Sequence, residues 1–182
     1  MASTQPMSQA EMLAFARPHF EHHSFMCRKV EPVFARMAEP GEVIRTIVDD
    51  AVETTNTAET GDFVIVNNTS DMEAYIVRAA VLSDKIDLDS CRPIPEDHPE
   101  HEALVANGFA CFIPAKRLRM AVEVTPEILP PGGCFEASWG QLQNVKIGDF
   151  LIGAGESTGL TEVYVVDQLS FKETYAVITA GR

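Results

Sequence analysis

Two stretches of the chain, GDFVIVNNTSDMEAYIV from Gly61 and GDFLIGAGESTGLTEVYVV from Gly148, present the same residue types in the same order. Gly61-Asp62-Phe63 matches Gly148-Asp149-Phe150, and Glu73-Ala74-Tyr75-Ile76-Val77 matches Glu162-Val163-Tyr164-Val165-Val166. Leu82 and Ile86 then fall opposite Phe171 and Tyr175, an i, i+4 spacing that puts two apolar side chains on one face of a helical turn. Upstream, PVFARMA lies opposite LRMAVEV, and DDAVETTNTAET opposite ASWGQLQNVKI. Chance supplies one short match much more readily than three in succession. The chain therefore reads as an internal duplication, and whatever fold it takes has to be one that is built twice.

The pattern has a local physical cause. Glycine permits the positive φ of a tight turn, and aspartate bonds backbone N–H groups two residues on. Phe63 or Phe150 then opens a buried strand, and Tyr75 or Tyr164 on the partner strand buries its ring while keeping its hydroxyl at a wet edge. The loop NNTSD is short enough to join antiparallel neighbours, so 63–66 and 73–77 are expected to form a hairpin. The repeated Asp and Glu admit a paired-carboxylate site, but holding turns and strand edges is the expected role.

Elsewhere the text is mostly that of strands and turns. Residues 1–7 are polar, and SQAE at 8–11 fits a capping box for a short helix over Gln9–Ala16 that Pro18 should close. KVEPVFARMA alternates apolar and polar residues, and EVIRTIV is rich in β-branched ones, with turns at AEPGE and around Asp50. Pro93, Pro95 and Pro99 mark a linker that runs into a short helix, PEHEALVANG, with Gly108 past its end. PEILPPGGC is a loop within the second module. The expected fold is mainly β, of a β-rich α+β kind. It has two duplicated small antiparallel β roll or barrel modules, with short helices at the N-terminus and in the linker. The expected boundaries are 1–24 for the N-terminal helix and tail, 25–90 for the first module, 91–111 for the linker and 112–182 for the second module. Each module alone has a thin core, so packing of the pair or self-association is expected.

KIGDFLIG, TEVYVV and FKETY in the second half resemble a module carried by small phage and prophage proteins of unknown function. That module has a Pro/Ala-Gly-Asp-Tyr turn, an apolar strand, a Gly-Glu-x-Tyr strand and a closing Phe-x-x-x-Tyr turn. ETGDFVIV and MEAYIV in the first half look like a drifted copy, with Leu82 and Ile86 in the aromatic positions. Both copies have Phe where the family has Tyr, and neither has Pro before the Gly. ASWG ahead of the second turn resembles a version of the module found in longer bacterial proteins. The resemblance implies a small β-rich fold and carries over no catalytic residue.

Charge narrows the partners. With 27 acidic residues against 14 basic ones the formal net charge is −13, a field that repels phosphates, so no direct nucleic-acid binding is expected. No window approaches the length of a membrane span, and MASTQPMSQAEM lacks the features of a secretory signal. Cys27, Cys91, Cys111 and Cys134 form no CxxC pair and are expected as reduced thiols in a cytoplasmic protein.

The chemistry-bearing residues are sparse. His19, His22, His23 and Cys27, or His98 and His101 among acids, include metal-ligand types at poor spacing, and solvated histidines are expected instead. GAGESTG at 153–159 is glycine-rich, but it lacks a P-loop lysine and sits between strands, so a hairpin loop is expected. Trp139 is the single tryptophan, expected to be partly buried by Phe135 or Phe150. No catalytic, cofactor or metal residue is assigned. The expected function is that of a non-enzymatic protein-binding or assembly module of phage or prophage type, with a protein partner or self-association. The alternatives are an acidic inhibitor or nucleic-acid mimic acting on a basic partner, and a small enzyme with its site in the loops 67–72 and 153–161.

Overall fold

A computed structural model of the chain describes residues 5–48, 50–155 and 159–179. Its elements run α1 (Gln9–His23), β1 (Phe25–Lys29), β2 (Val33–Met37), β3 (Val43–Val48), β4 (Ala51–Thr57), β5 (Phe63–Asn67), β6 (Ala74–Val77), α2 (Leu82–Lys85) and α3 (His101–Ala106). They continue with β7 (Ala110–Phe112), β8 (Arg119–Glu123), β9 (Cys134–Glu136), β10 (Leu142–Asn144), β11 (Phe150–Ala154), β12 (Glu162–Val166), α4 (Gln168–Thr174) and β13 (Tyr175–Ile178). The protein is mainly β, with several antiparallel sheets and a helix near its N-terminus. Among the described residues no helix is long and apolar enough to cross a membrane.

The helix α1 begins as the sequence predicts. Ser8 accepts the N–H of Glu11, and the Glu11 carboxylate accepts the Ser8 N–H at 2.8 Å. It does not stop before Pro18, however, but continues to His23. Met12, Ala16 and Phe20, one turn apart, are all buried. That stripe carries the helix through the proline, whose missing N–H costs one intrahelical bond.

The chain forms two compact units, and they do not follow the order of the sequence. One comprises the described residues of Met1–Arg28 and Leu118–Arg182, the other Lys29–Arg117. The division differs from boundaries drawn along the chain. β7, expected in a linker, is a strand of the second unit's sheet, and β1, expected in the first module, pairs with β8.

In the first unit the order is β12-β11-β8-β1-β13. Alternation along β11 sends Leu151 to one face, where Met12, Ala16 and Phe20 cover it, and Phe150 and Ile152 to the other, where Phe171 covers them. In the second unit the order is β6-β5-β2-β7, with Ile86 bridging antiparallel to Pro114 just past β7. Its sheet is likewise covered on two faces. Leu82 and Ile86 pack with Ile65 and Val33, while Leu104 of α3 and Ile94 pack with Phe34 and Val66. β3 and β4 form a separate ribbon.

The registers of the two sheets match position by position. Phe63 faces Val77 and Ile65 faces Tyr75 across β5 and β6, as Phe150 faces Val166 and Ile152 faces Tyr164 across β11 and β12. Ala35 pairs with Ile65 on one side and Ala110 on the other, and Ala121 pairs with Ile152 and Phe25. Thus β7 stands to β2 as β1 stands to β8. The helix–strand arm α1–β1, at the start of the chain, completes the sheet built by the last third of the sequence. The arm α3–β7 completes the sheet built by β2, β5 and β6.

Neither larger sheet closes, so the expected barrel is not formed. A reason is visible along the outer edge of β12. The N–H of Val163 is taken by Gln9 Oε1 at 2.9 Å and that of Val165 by Gln143 Oε1 at 3.0 Å. Side-chain amides satisfy the donors that a closing strand would have satisfied.

Candidate functional site

The two Gly-Asp turns are structural, one in each unit. Gly61 and Gly148 have φ of +87° and +94°, and the aspartate that follows each folds back onto its own turn. Asp62 accepts the Glu59 N–H at 2.8 Å and the Ala79 N–H at 3.3 Å, and Asp149 accepts the Lys146 N–H at 2.9 Å. Their surroundings then diverge. Asp62 is also paired with Arg78. Burial alone would raise its carboxyl, but the Glu59 N–H, Arg78 and the Ala79 N–H together hold it below the usual aspartate value. Asp149 has Asp167 nearby where Asp62 has Arg78. Burial, with the charge of Asp167 adding to it, pushes the Asp149 carboxyl up against the opposing bond from Lys146. Glu73 and Glu162 have other partners, the hydroxyls of Thr69 and Ser138 respectively, so each carboxylate holds its own local structure.

The residues after β5 gather a polar cluster. Lys29 donates to Asn67 Oδ1 at 2.5 Å and to the Tyr75 hydroxyl at 3.3 Å, and its ammonium lies 5.7 Å from the Tyr75 ring centroid. Burial lowers the Lys29 amine to about 8 against the favourable charge of Glu73, and the same burial raises the Tyr75 phenol. Asn68 donates to Glu31 at 2.7 Å, and its carbonyl oxygen lies 3.0 Å from His98 Nε2. The His98 ring packs edge-on against Phe34, centroids 4.9 Å apart, and His101 Nδ1 lies 2.9 Å from the Pro95 carbonyl. These histidines are therefore built into the second unit and are not solvated linker residues. The loop 67–72 is organised by hydrogen bonds that join strands, and the cluster fastens the β5–β6 turn in place.

Other sequence-derived candidates stay apart. His22 and His23 are exposed at the end of α1, and His19 packs on Phe15 with centroids 5.2 Å apart. Cys27 is buried, its thiol pushed up to about 11 by that burial. Among the described residues no three His, Cys, Asp or Glu side chains gather as metal ligands would. In the glycine-rich stretch, residues 156–158 lie outside the described residues; its flanks form the expected hairpin, with Thr161 N–H donating to Ala154 at 2.8 Å. An open depression lined by Arg36, Glu39, Glu42 and Asn107 holds a guanidinium already engaged by Glu42 and lying over the Phe109 ring at 5.1 Å.

The arrangement best suited to recognition is aromatic and centres on Trp139. The β9–β10 turn is closed by the Ala137 N–H to Gln141 at 2.7 Å and the Gly140 N–H to Ala137 at 2.9 Å, with Gly140 at φ +83°. This turn leaves Trp139 46% exposed, and its aromatic neighbour is Tyr164, where Phe135 or Phe150 is expected from the sequence. Its ring lies 6.4 Å from that of Tyr164 and inclined at 55° to it. Tyr164 and Tyr175 bring their hydroxyls within 3.5 Å. Tyr175 stacks on Phe171 at 4.9 Å, and Phe171 on Phe150 at 3.9 Å. An aromatic series thus runs from the core through the half-buried Tyr164 to the exposed Trp139. Sequence supplied Trp139 as a lone residue, and only the sheet reveals Tyr164 as its neighbour.

Comparison with protein families, curated proteins and solved structures finds no match.

Proposed function

We propose that this protein is a non-enzymatic assembly and protein-binding module, made of one β unit present twice, whose units are completed by an exchanged helix–strand arm. The observation that carries this reading is the place of β1. It lies inside the five-stranded sheet, between β8 and β13, although it is separated from both by the whole of the other unit. The equivalent arm α3–β7, which precedes β8 in the chain, is used by the other sheet. The matched registers and the paired Gly-Asp turns support the duplication. A unit that receives its inner strand from another repeat is suited to joining chains as well as to closing within one.

The test uses the Met26–Met120 pair of the β1–β8 register. Met26→Cys and Met120→Cys are placed in separately tagged full chains, in a Cys91→Ser, Cys134→Ser background that removes the less buried thiols. After the two chains are mixed and refolded, a disulfide between the two introduced thiols, joining one chain to the other, is expected. If none forms at any concentration, the arm does not serve assembly.

A second reading has one observation in its favour. Asp84, Asp87, Asp89, Glu96, Asp97, Glu100 and Glu102 are all exposed along one connection of the second unit. An acidic inhibitor would use them on a basic partner, and its binding would weaken steeply between low salt and about 0.5 M.

A further inference from the structure

We propose that Lys29 is a covalent modification site, an amine that Asn67 and Tyr75 set up to form an imine with a small uncharged aldehyde. The site is independent of arm exchange. Ile65 faces Tyr75 across β5 and β6, and Asn67 is two residues further along β5, so Asn67 and Tyr75 share one face of the sheet. Tyr75 packs against the core that contains Val33, Ile65 and Val77. Lys29, the last residue of β1, reaches this pair and donates to the Asn67 carbonyl oxygen at 2.5 Å and to the Tyr75 hydroxyl at 3.3 Å. All three residues are half-buried, so the cluster lies at the surface of the second unit and is not sealed in its core.

The surroundings of the amine make it a nucleophile. Both oxygens that accept from it are neutral, so neither holds the charged form as strongly as a bonded carboxylate would. Burial brings the amine down to about 8 against the nearby charge of Glu73, whose carboxylate is itself bonded to the Thr69 hydroxyl. An ordinary lysine loses its proton near about 10.4. At pH 7 roughly one Lys29 side chain in ten therefore carries a lone pair ready to attack.

The Tyr75 phenol selects the electrophile. Burial raises it, so it keeps its proton and has one to give to an oxygen beside the amine. An aldehyde uses that proton twice. The Lys29 nitrogen attacks the carbonyl carbon and the π pair moves to oxygen. Tyr75 gives that oxygen its proton and takes one from the nitrogen, which leaves a neutral carbinolamine. The nitrogen lone pair then forms the C=N bond as the C–O bond breaks, and the departing hydroxide leaves as water with the Tyr75 proton. The phenolate takes the remaining proton from the iminium, so the net products are the imine and one water. Carbon dioxide loses no water on addition and would leave an anion beside Glu73. The same carboxylate and the net charge of −13 disfavour an anionic aldehyde.

The full chain is treated with propanal and excess cyanoborohydride, so that imine formation sets the rate, and the alkylated lysines are mapped by peptide mass spectrometry. At pH 7 Lys29 is expected to react about tenfold or more ahead of the exposed Lys116, Lys146 and Lys172. Its rate should level off above pH 8 while theirs continue to rise. Glyoxylate, an aldehyde bearing a carboxylate, should show a smaller preference for Lys29 over Lys172. Tyr75→Phe should slow alkylation of Lys29 about tenfold and leave the other lysines unchanged. Asn67→Asp gives the amine an anionic partner, so its alkylation should fall at pH 7 and return at pH 10. Circular dichroism verifies the fold of each variant, and the wild-type comparison among lysines depends on neither. Lys29 reacting no faster than the exposed lysines, or equally fast in a folded Tyr75→Phe chain, would overturn the proposal. An equal preference for Lys29 with glyoxylate would overturn the choice of an uncharged aldehyde.

Discussion

Arg78 pairs with the buried carboxylate of Asp62, and the residue that follows the matching strand in the other unit is Asp167, an acid beside Asp149. Each aspartate holds the turn before its strand, but one does so with a cation and the other against an anion. The two turns should therefore respond to acid in opposite senses. The Asp62 carboxyl is held below the ordinary aspartate value, so its contribution to stability is present above that value and is lost as pH falls through the folded one. The Asp149 carboxyl is raised, so the folded state binds its proton more readily than the unfolded state does. Its contribution improves as pH falls through the raised value toward the ordinary one. Carboxyl carbon shifts followed by NMR between pH 2 and 7 should place Asp149 above the usual value and Asp62 below it. Asp149→Asn should flatten the acid response of the first unit.

Removing the cation tests the same contrast from the other side. Arg78→Met leaves the Asp62 carboxylate buried with backbone donors alone, which should cost about 1–3 kcal/mol, toward the lower end because Arg78 is partly in water. Denaturant unfolding followed by amide exchange should show the loss in the second unit only. Unchanged protection of 59–79 would sink this account of the turn.

Phe171 is a core anchor of the first unit, stacked on Phe150 at 3.9 Å and on Tyr175 at 4.9 Å, with Phe25 edge-on at 6.2 Å. Phe171→Ala should destabilise by about 3–5 kcal/mol, comparable to the stability of a small unit. A melting temperature within a degree or two of wild type would show that the stack contributes little.

Pro18 is exposed in the middle of α1. Since a proline inside a helix costs up to about 3 kcal/mol relative to alanine, Pro18→Ala should raise the unfolding midpoint. A lower midpoint would mean that the proline bend seats Phe20 correctly against Leu160 and Val163, and that the helix is shaped by its packing.

Deleting residues 1–24 removes the stripe of Met12, Ala16 and Phe20 but retains β1. Amide exchange should then rise across β8, β11 and β12 and stay low across β2 and β5. Exchange rising equally in both units would contradict their separate cores.

The elements that the sequence made legible are those dictated by neighbours along the chain. The Gly-Asp turns, the hairpin of 63–66 with 73–77, the capping box and the helix ending before Gly108 all depend on residues a few positions apart. Pro18 misled because a local rule was opposed by a buried stripe whose partners, Val163 and Leu151, lie in the last third of the chain. His98 was misplaced for a similar reason, since Asn68 and Phe34 are what hold it. The choice between two alike sheets for each arm has no local signature: FMCRK and ACF are both short and apolar enough to fill either place. The Arg78 and Asp167 contrast was present in the letters but gained meaning only when the turn beneath each was known. Trp139 stands out in the sequence by its rarity, but its place depends on the Gly140 turn and on Tyr164 of β12 beside it.

The position of β1 also sets a timetable. Everything the second unit needs, from Lys29 to Arg117, has been synthesised before β8 exists. During the rest of synthesis, at about 5–20 residues per second, the first helix and strand lack the sheet that they will occupy. They emerge ahead of the second unit and are housed after it. For that interval, on the order of ten seconds, Met12, Phe20 and the thiol of Cys27, all buried in the finished protein, stand in water. The Ser8–Glu11 box gives the waiting helix a defined start, and the wait makes the nascent chain most open to oxidation and to capture by another copy at the very segment that will become least accessible.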